Sequence, residues 1–312
     1  MKIVYLDEPT YLPEWWRARF ATLGDFEVFT DRPEPETALR RLCEADLAVV
    51  EWTQLPAGLL SRITRLRYLT MVSTSFDGVD LDAAARAGLT VAHCPTYSRQ
   101  AVAEHVFASL LALIRRLLAA DRATRAGASH LYRPFLGLEL HGRTLGLVGT
   151  GRIATAVARI AAGFGLEVIG ANRTGRAAPG ITVLPLDEVL RRSDVLSLHA
   201  PLNATTRGLL NAERLGTLKP SAVLVNTCRG ALLDQAALVR MLTTGRLAGA
   251  ALDDMTSQDA ELLRTLDNVI LTPGTAWYTD TARSDNLQEV YDNLASYLAG
   301  CPRNVLTGPG VR

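Results

Sequence analysis

The chain has 312 residues, enough for two domains at roughly 100–200 residues each. Hydrophobic residues make up 48%, and 33 basic and 32 acidic side chains nearly cancel to a formal +1. That balance excludes a disordered chain and speaks against nucleic acid as a partner, because a nucleic-acid binder carries a basic excess. No apolar run reaches the 18 or so residues of a membrane span, and the N-terminus lacks signal-peptide regions. Cys43, Cys94, Cys228 and Cys301 form no CxxC pair, so no metal site or disulfide framework is expected and the protein reads as cytoplasmic.

In chain order, residues 2–6, 47–51 and 68–73 predict buried strands, with helices over 15–23, 36–44 and 81–87 between them. A longer helix is predicted from about Arg99 to Ala120, on a stripe of Val102, Val106, Leu110, Leu111 and Ile114. A loop with Gly127, Pro134, Gly137 and Gly142 follows. The alternation then resumes: strand 145–149, helix 152–164, and strands 166–170, 195–199, 222–226, 248–252 and 269–272. A last helix, 281–298, returns to the first domain. Such alternation predicts an α/β protein with doubly wound parallel sheets.

Two stretches carry chemistry. Gly149-Thr150-Gly151-Arg152-Ile153-Ala154 fits the G-x-G-x-x-[GA] fingerprint between a strand and a helix. Gly149 permits the tight turn, Gly151 lets the backbone approach a pyrophosphate, and Ala154 permits close packing of helix on strand. Where an NAD site places Asp or Glu, about 20 residues on, this chain has Asn172, followed by Arg173, Thr174 and Arg176. A carboxylate would repel a ribose 2′-phosphate, whereas an arginine fork and a threonine hydroxyl can bind one, so NADP is favoured, with NAD the alternative.

With these motifs in place the chain resembles the D-isomer-specific 2-hydroxyacid dehydrogenase family, nearest its glyoxylate/hydroxypyruvate reductase-like and glycerate dehydrogenase-like members. The resemblance rests on the stretches 73–80, 97–105, 198–202, 225–230, 249–253 and 268–273 and on the fingerprint. It implies two Rossmann-like domains with a cleft between them: residues 1–98 plus 285–312 for substrate, and 99–284 for the dinucleotide. It implies that His199, Pro201, Thr206, Thr227, Cys228 and Arg229 lie beside the cofactor and that Asp253 meets the nicotinamide carboxamide. It also implies a homodimer paired through about Arg99 to Leu140, and a small carboxylate substrate met by Ser75, Arg229 and Tyr278.

The family's catalytic set is an Arg that binds the substrate carboxylate, a His that protonates the keto oxygen, and a Glu that orients the His and raises its pKa. Arg229 matches the Arg. The Glu position holds Gln258 and the His position holds Gly274. A positioned general acid contributes about 10²–10⁴-fold, so ordinary keto-acid reduction is expected to be slow. Tyr278, Asp254 and Asp259 are candidate substitutes. His105, His93 and Cys228 read as structural, and His141 as solvated. The function expected is an NADP-dependent oxidoreductase acting on a 2-oxo acid, an imine or a related small carboxylate with altered proton chemistry. The alternatives are an inactive NADP(H)-binding or ligand-sensing homologue, and cofactor-assisted dehydration or isomerisation.

Overall fold

The computed structural model describes residues 1–254 and 260–307. Gln258 and Asp259, named above for the chemistry, lie outside the described residues. The chain divides into two units, Met1–Ser98 with Thr279–Arg312, and Arg99–Tyr278. The return to the first unit falls at Thr279, where the sequence reading set it at 285.

The first unit opens with β1 (Lys2–Tyr5), α1 (Glu14–Ala21), β2 (Asp25–Val28), α2 (Pro35–Glu44) and β3 (Leu47–Val50). It continues with α3 (Ala57–Leu60), β4 (Tyr68–Met71), α4 (Leu81–Arg86) and β5 (Thr90–Ala92). The second unit begins with α5 (Arg99–Ile114) and α6 (Leu117–Arg125), then β6 (Thr144–Val148), α7 (Arg152–Gly163), β7 (Glu167–Ala171) and β8 (Thr182–Val183). Next come α8 (Leu186–Arg192), β9 (Val195–Leu198), α9 (Ala212–Gly216), β10 (Val223–Asn226) and α10 (Gln235–Thr243). The unit closes with β11 (Gly249–Leu252), α11 (Ala260–Leu263) and β12 (Val269–Leu271). Back in the first unit, α12 (Asp280–Leu298) is capped by the Thr279 hydroxyl, and β13 (Val305–Thr307) follows.

The second unit's sheet runs β12-β11-β10-β9-β6-β7-β8, all parallel. Its strands bury both faces, so they read as unbroken apolar runs. Alternate residues serve opposite cores. Leu196, Leu198, Leu224 and Ala250 join the apolar sides of α8 and α10. Val195, Val223, Val225 and Ala251 join α5 and α7. The order reverses between β6 and β9, and in such a sheet the carboxyl ends of those two strands form the crevice where ligands bind.

The first unit's sheet runs β13-β5-β4-β3-β1-β2. It is parallel except for β13, which pairs antiparallel with β5. The doubly wound expectation holds, and this edge strand makes the first sheet mixed. The single helix expected over 99–120 is two helices. Arg116 sits at φ 54, in the left-handed region, and separates α5 from α6. The apolar pattern runs on through Leu117 and Leu118, which hid the break, but both are 54% exposed and α6 buries no residue.

Candidate active site

The chain turns from β6 into α7 through Gly149-Thr150-Gly151. Gly149 has φ +93, and a Cβ there would lie 2.5 Å from the His199 carbonyl oxygen. Backbone conformation and close approach both demand glycine. At Gly151 a Cβ would meet nothing within 4 Å. The first turn of α7 carries no side-chain cap, so its N–H groups and the helix dipole face that open space. Ala154 is fully buried in the core that α7 shares with α5, where a larger side chain would push the two helices apart. Arg152 is exposed, and Ile153 packs on the same core.

β7 pairs with β6 in register Val148↔Ala171, which sets Thr150 beside Asn172 just past the strand ends. The Asn172 amide donates to Thr150 Oγ1 (2.8 Å) and to the Arg176 carbonyl (2.8 Å). Its Oδ1 accepts from the Thr174 N–H (3.1 Å) and hydroxyl (3.2 Å). The side chains of Arg173 and Arg176 are exposed, and no described carboxylate lies within ion-pair reach of either.

At the end of β9, His199 Nε2 lies 2.9 Å from the buried Ser197 hydroxyl. Its Nδ1 is shielded from solvent and has no hydrogen-bond partner. Desolvation lowers this imidazole to about 4, so it is neutral at physiological pH. Pro201 and Thr206 belong to the following loop, where the Thr206 hydroxyl donates to the Pro201 carbonyl (2.6 Å) and accepts from the Asn203 N–H (2.8 Å).

At the end of β10, buried Asn226 accepts from the Cys228 N–H (3.0 Å) and donates to the Arg229 carbonyl (3.1 Å). This turn presents the exposed Arg229 side chain. Thr227 Oγ1, like His199 Nδ1, is buried without a partner. Cys228 Sγ donates to the Leu198 carbonyl (3.1 Å), and burial pushes the thiol up to about 12, which disfavours the thiolate.

Asp253 follows β11 and is buried. Its Oδ1 accepts from the Thr272 hydroxyl (2.5 Å) and the Thr275 N–H (2.9 Å), and its Oδ2 from the Ala276 N–H (2.9 Å). His105 of α5 adds Nε2 at 3.3 Å from Thr272 Oγ1 and 3.8 Å from Asp253 Oδ1. The Asp253 carbonyl accepts from the Gly274 N–H (2.6 Å). Asp253 is thus the hub that holds the 272–276 loop, a role the sequence reading did not give it. Gly274, on that loop, is exposed with φ +76, and the nearest atom to a Cβ there would be the Asp253 carbonyl oxygen at 3.9 Å.

Among the proton-donor candidates, Asp254 accepts from the Gly230 N–H (3.1 Å). Tyr278 is exposed and meets Trp277 edge-to-face at 5.2 Å. Ser75 belongs to the first unit, where its hydroxyl donates to Asp77. Two participants went unread in the sequence, Ser197 and Thr272. The period of two along β9 places Ser197 and His199 on one face, a signal that was available. Thr272 meets Asp253 only because β11 and β12 pair in register Leu252↔Leu271, which no local pattern announces.

The profile of the D-isomer-specific 2-hydroxyacid dehydrogenase NAD-binding domain matches residues 107–276, more than half of the chain. The chain belongs to this family. A glyoxylate reductase from Pyrococcus furiosus is 35% identical over 88% of this chain and 87% of its own length. An acyclic imino acid reductase (Bsp5), solved in complex with NADPH and D-Arg, is 46% identical, with a TM-score of 0.96 over 98% of this chain and all of that one. A D-lactate dehydrogenase from Aquifex aeolicus, solved with NAD and lactic acid, is 29% identical, with a TM-score of 0.86 over 99% of this chain and all of that one. The chain is an oxidoreductase of the 2-hydroxyacid dehydrogenase type with an NAD(P)-binding domain, and these relatives do not favour the sensing and dehydration alternatives.

Proposed function

We propose that the chain is an NADP(H)-dependent reductase of small 2-imino acids. The observation that carries this reading is Gly274, which puts no side chain where the family resemblance places a proton-donating His. A keto oxygen needs a proton as the hydride arrives. An imine nitrogen is already protonated in water, and the amine product takes its second proton from solvent. The 46% identical imino acid reductase, solved with NADPH and D-Arg, supports the same chemistry.

The second unit fits the cofactor. It offers open space at Gly151, an uncapped helix start, and two shielded, unpaired polar atoms on His199 and Thr227. A bound NADPH supplies the hydride. Arg229 holds the substrate carboxylate by a charge-assisted fork, Tyr278 borders the substrate, and Asp253 fixes the 272–276 loop. The missing acid at 172, with the exposed Arg173 and Arg176 beside it, supports NADP(H) over NAD(H), whereas the Thr174 hydroxyl, expected to meet the 2′-phosphate, donates to Asn172 Oδ1 instead.

The exposed Leu117, Leu118, Leu131, Tyr132 and Leu136 support a homodimer through this segment, as does the prevalence of C₂ pairs. Among the described residues no helix is long and apolar enough to cross a membrane. All four cysteines are free, which supports a reducing, cytoplasmic setting.

The test is NADPH oxidation with glyoxylate, pyruvate and hydroxypyruvate, with and without ammonia or methylamine to form the imine in solution. Turnover should depend on the amine and vanish in Arg229→Ala. A kcat of roughly 1–10³ s⁻¹ on the keto acids without amine would overturn the reading.

A further inference from the structure

We infer that Asn172 is not a reader of the cofactor ribose but a brace that frames the loop behind it. The inference rests on the proposed NADP(H) reading of that loop. A carboxamide has two N–H donors and two acceptor lone pairs. At Asn172 all four are engaged, by Thr150 Oγ1, the Arg176 carbonyl, the Thr174 N–H and the Thr174 hydroxyl. Two of these partners fix which way the amide faces, because a carbonyl can only accept and an N–H can only donate. Nδ2 must therefore face Arg176 and Oδ1 must face Thr174, leaving no capacity for a ribose hydroxyl.

One side chain thus ties the glycine-rich turn, at Thr150, to both halves of the 172–176 loop. Gly175, at φ +64, lets that loop close on itself. The side chains of Arg173 and Arg176 are held on this frame and are not consumed by it. Aspartate could not replace the brace. Its second oxygen would stand about 2.8 Å from the Arg176 carbonyl oxygen, acceptor against acceptor, where the structure has a donor. Cofactor selectivity in this chain is therefore a property of the braced loop and cannot be exchanged by placing an acid at 172.

The test is nucleotide binding to the full chain without substrate, by calorimetry or NAD(P)H fluorescence, for NADPH and NADH in parallel. Asn172→Asp and Asn172→Ala should each weaken NADPH by about tenfold or more, as expected for lost or unmet hydrogen bonds, with little change for NADH. Tighter NADH binding by Asn172→Asp would overturn the brace, because the new carboxylate would then be reaching the ribose. So would an equal loss of both nucleotides, which a merely structural residue would give. If the aspartate variant does not fold, a cycle of Thr150→Val and Asn172→Ala decides. The brace requires the two losses to be less than additive, and full additivity overturns it. Wild-type preference for NADH would instead sink the NADP(H) reading, and the Thr150–Asn172 coupling would then be read without nucleotide, from the Tm of the two single variants and the double one.

Discussion

At Gly274 the backbone, and not only the side chain, departs from what a proton donor requires. A φ of +76 costs a non-glycine residue about 1–2 kcal/mol, so a histidine placed there would be strained or would shift the loop. Gln258→Glu with Gly274→His should therefore raise pyruvate reduction by less than about 10²-fold, the lower bound for a well-placed general acid. A gain of 10³-fold or more in NADPH oxidation would show that the loop relaxes freely around the new ring. His199 makes a second prediction at this scale. Burial holds it near 4 in the folded chain against 6.5 when unfolded. Between those values the unfolded chain binds more protons, so this residue's contribution is full above about pH 6.5 and is lost as pH falls toward 4. In melts without cofactor, Tm of the wild type should drop more steeply across that window than Tm of His199→Gln. Parallel curves would mean that the imidazole is not held neutral by its surroundings.

Among the elements, the junction of α5 and α6 stores strain that can be removed. Arg116 adopts a left-handed conformation without being glycine. Arg116→Gly should stabilise the chain by about 0.5–1 kcal/mol, the αL penalty less glycine's extra chain entropy, seen as a higher Tm. An unchanged or lower Tm would mean that Arg116 makes contacts worth more than its strain. The strands with dense Val and Leu, such as Leu47–Val50 and Val223–Asn226, were legible because both faces are buried. Strand Asp25–Val28 carries only two apolar residues, and Thr90–Ala92 and Val305–Thr307 are three residues long, so none of them rises above a loop in the sequence. Helix Gln235–Thr243 carries its own sequence signals. Asp234 caps it by accepting from the Ala237 N–H at 2.9 Å, and Ala237, Leu238 and Leu242 give it an apolar side. In the candidate site the fingerprint glycines were legible because steric need fixes their identity. The roles of Asn172 and Asp253 were not, because each depends on which strand ends lie side by side.

On the scale of the whole chain, the two units have separate apolar cores and different dependence on sequence order. Leu287, Val290 and Leu294 of α12 complete a core with Ile3, Tyr5, Trp16 and Phe20. The same helix supplies buried Glu289, which accepts from the Thr96 N–H at 3.1 Å, and Asn293, which donates to the His93 carbonyl at 2.9 Å. A chain ending at Tyr278 should therefore leave the first unit incomplete and the second intact. Limited proteolysis should degrade residues 1–98 and spare a fragment beginning near Arg99 that still binds NADPH. Survival of both halves would mean that α12 is dispensable to the first core.

The pairing of β13 with β5 sets a schedule for the newborn chain. Val91 is made more than two hundred residues before its neighbour Thr307. At ribosomal speeds of about 5–20 residues per second, the strand Thr90–Ala92 has its outer edge unpaired for roughly ten to forty seconds. Throughout that interval the whole second unit can fold, while the first remains an open template for strand addition by another nascent chain. The step most exposed to misassembly during synthesis is therefore the last one, in the unit whose sequence begins first.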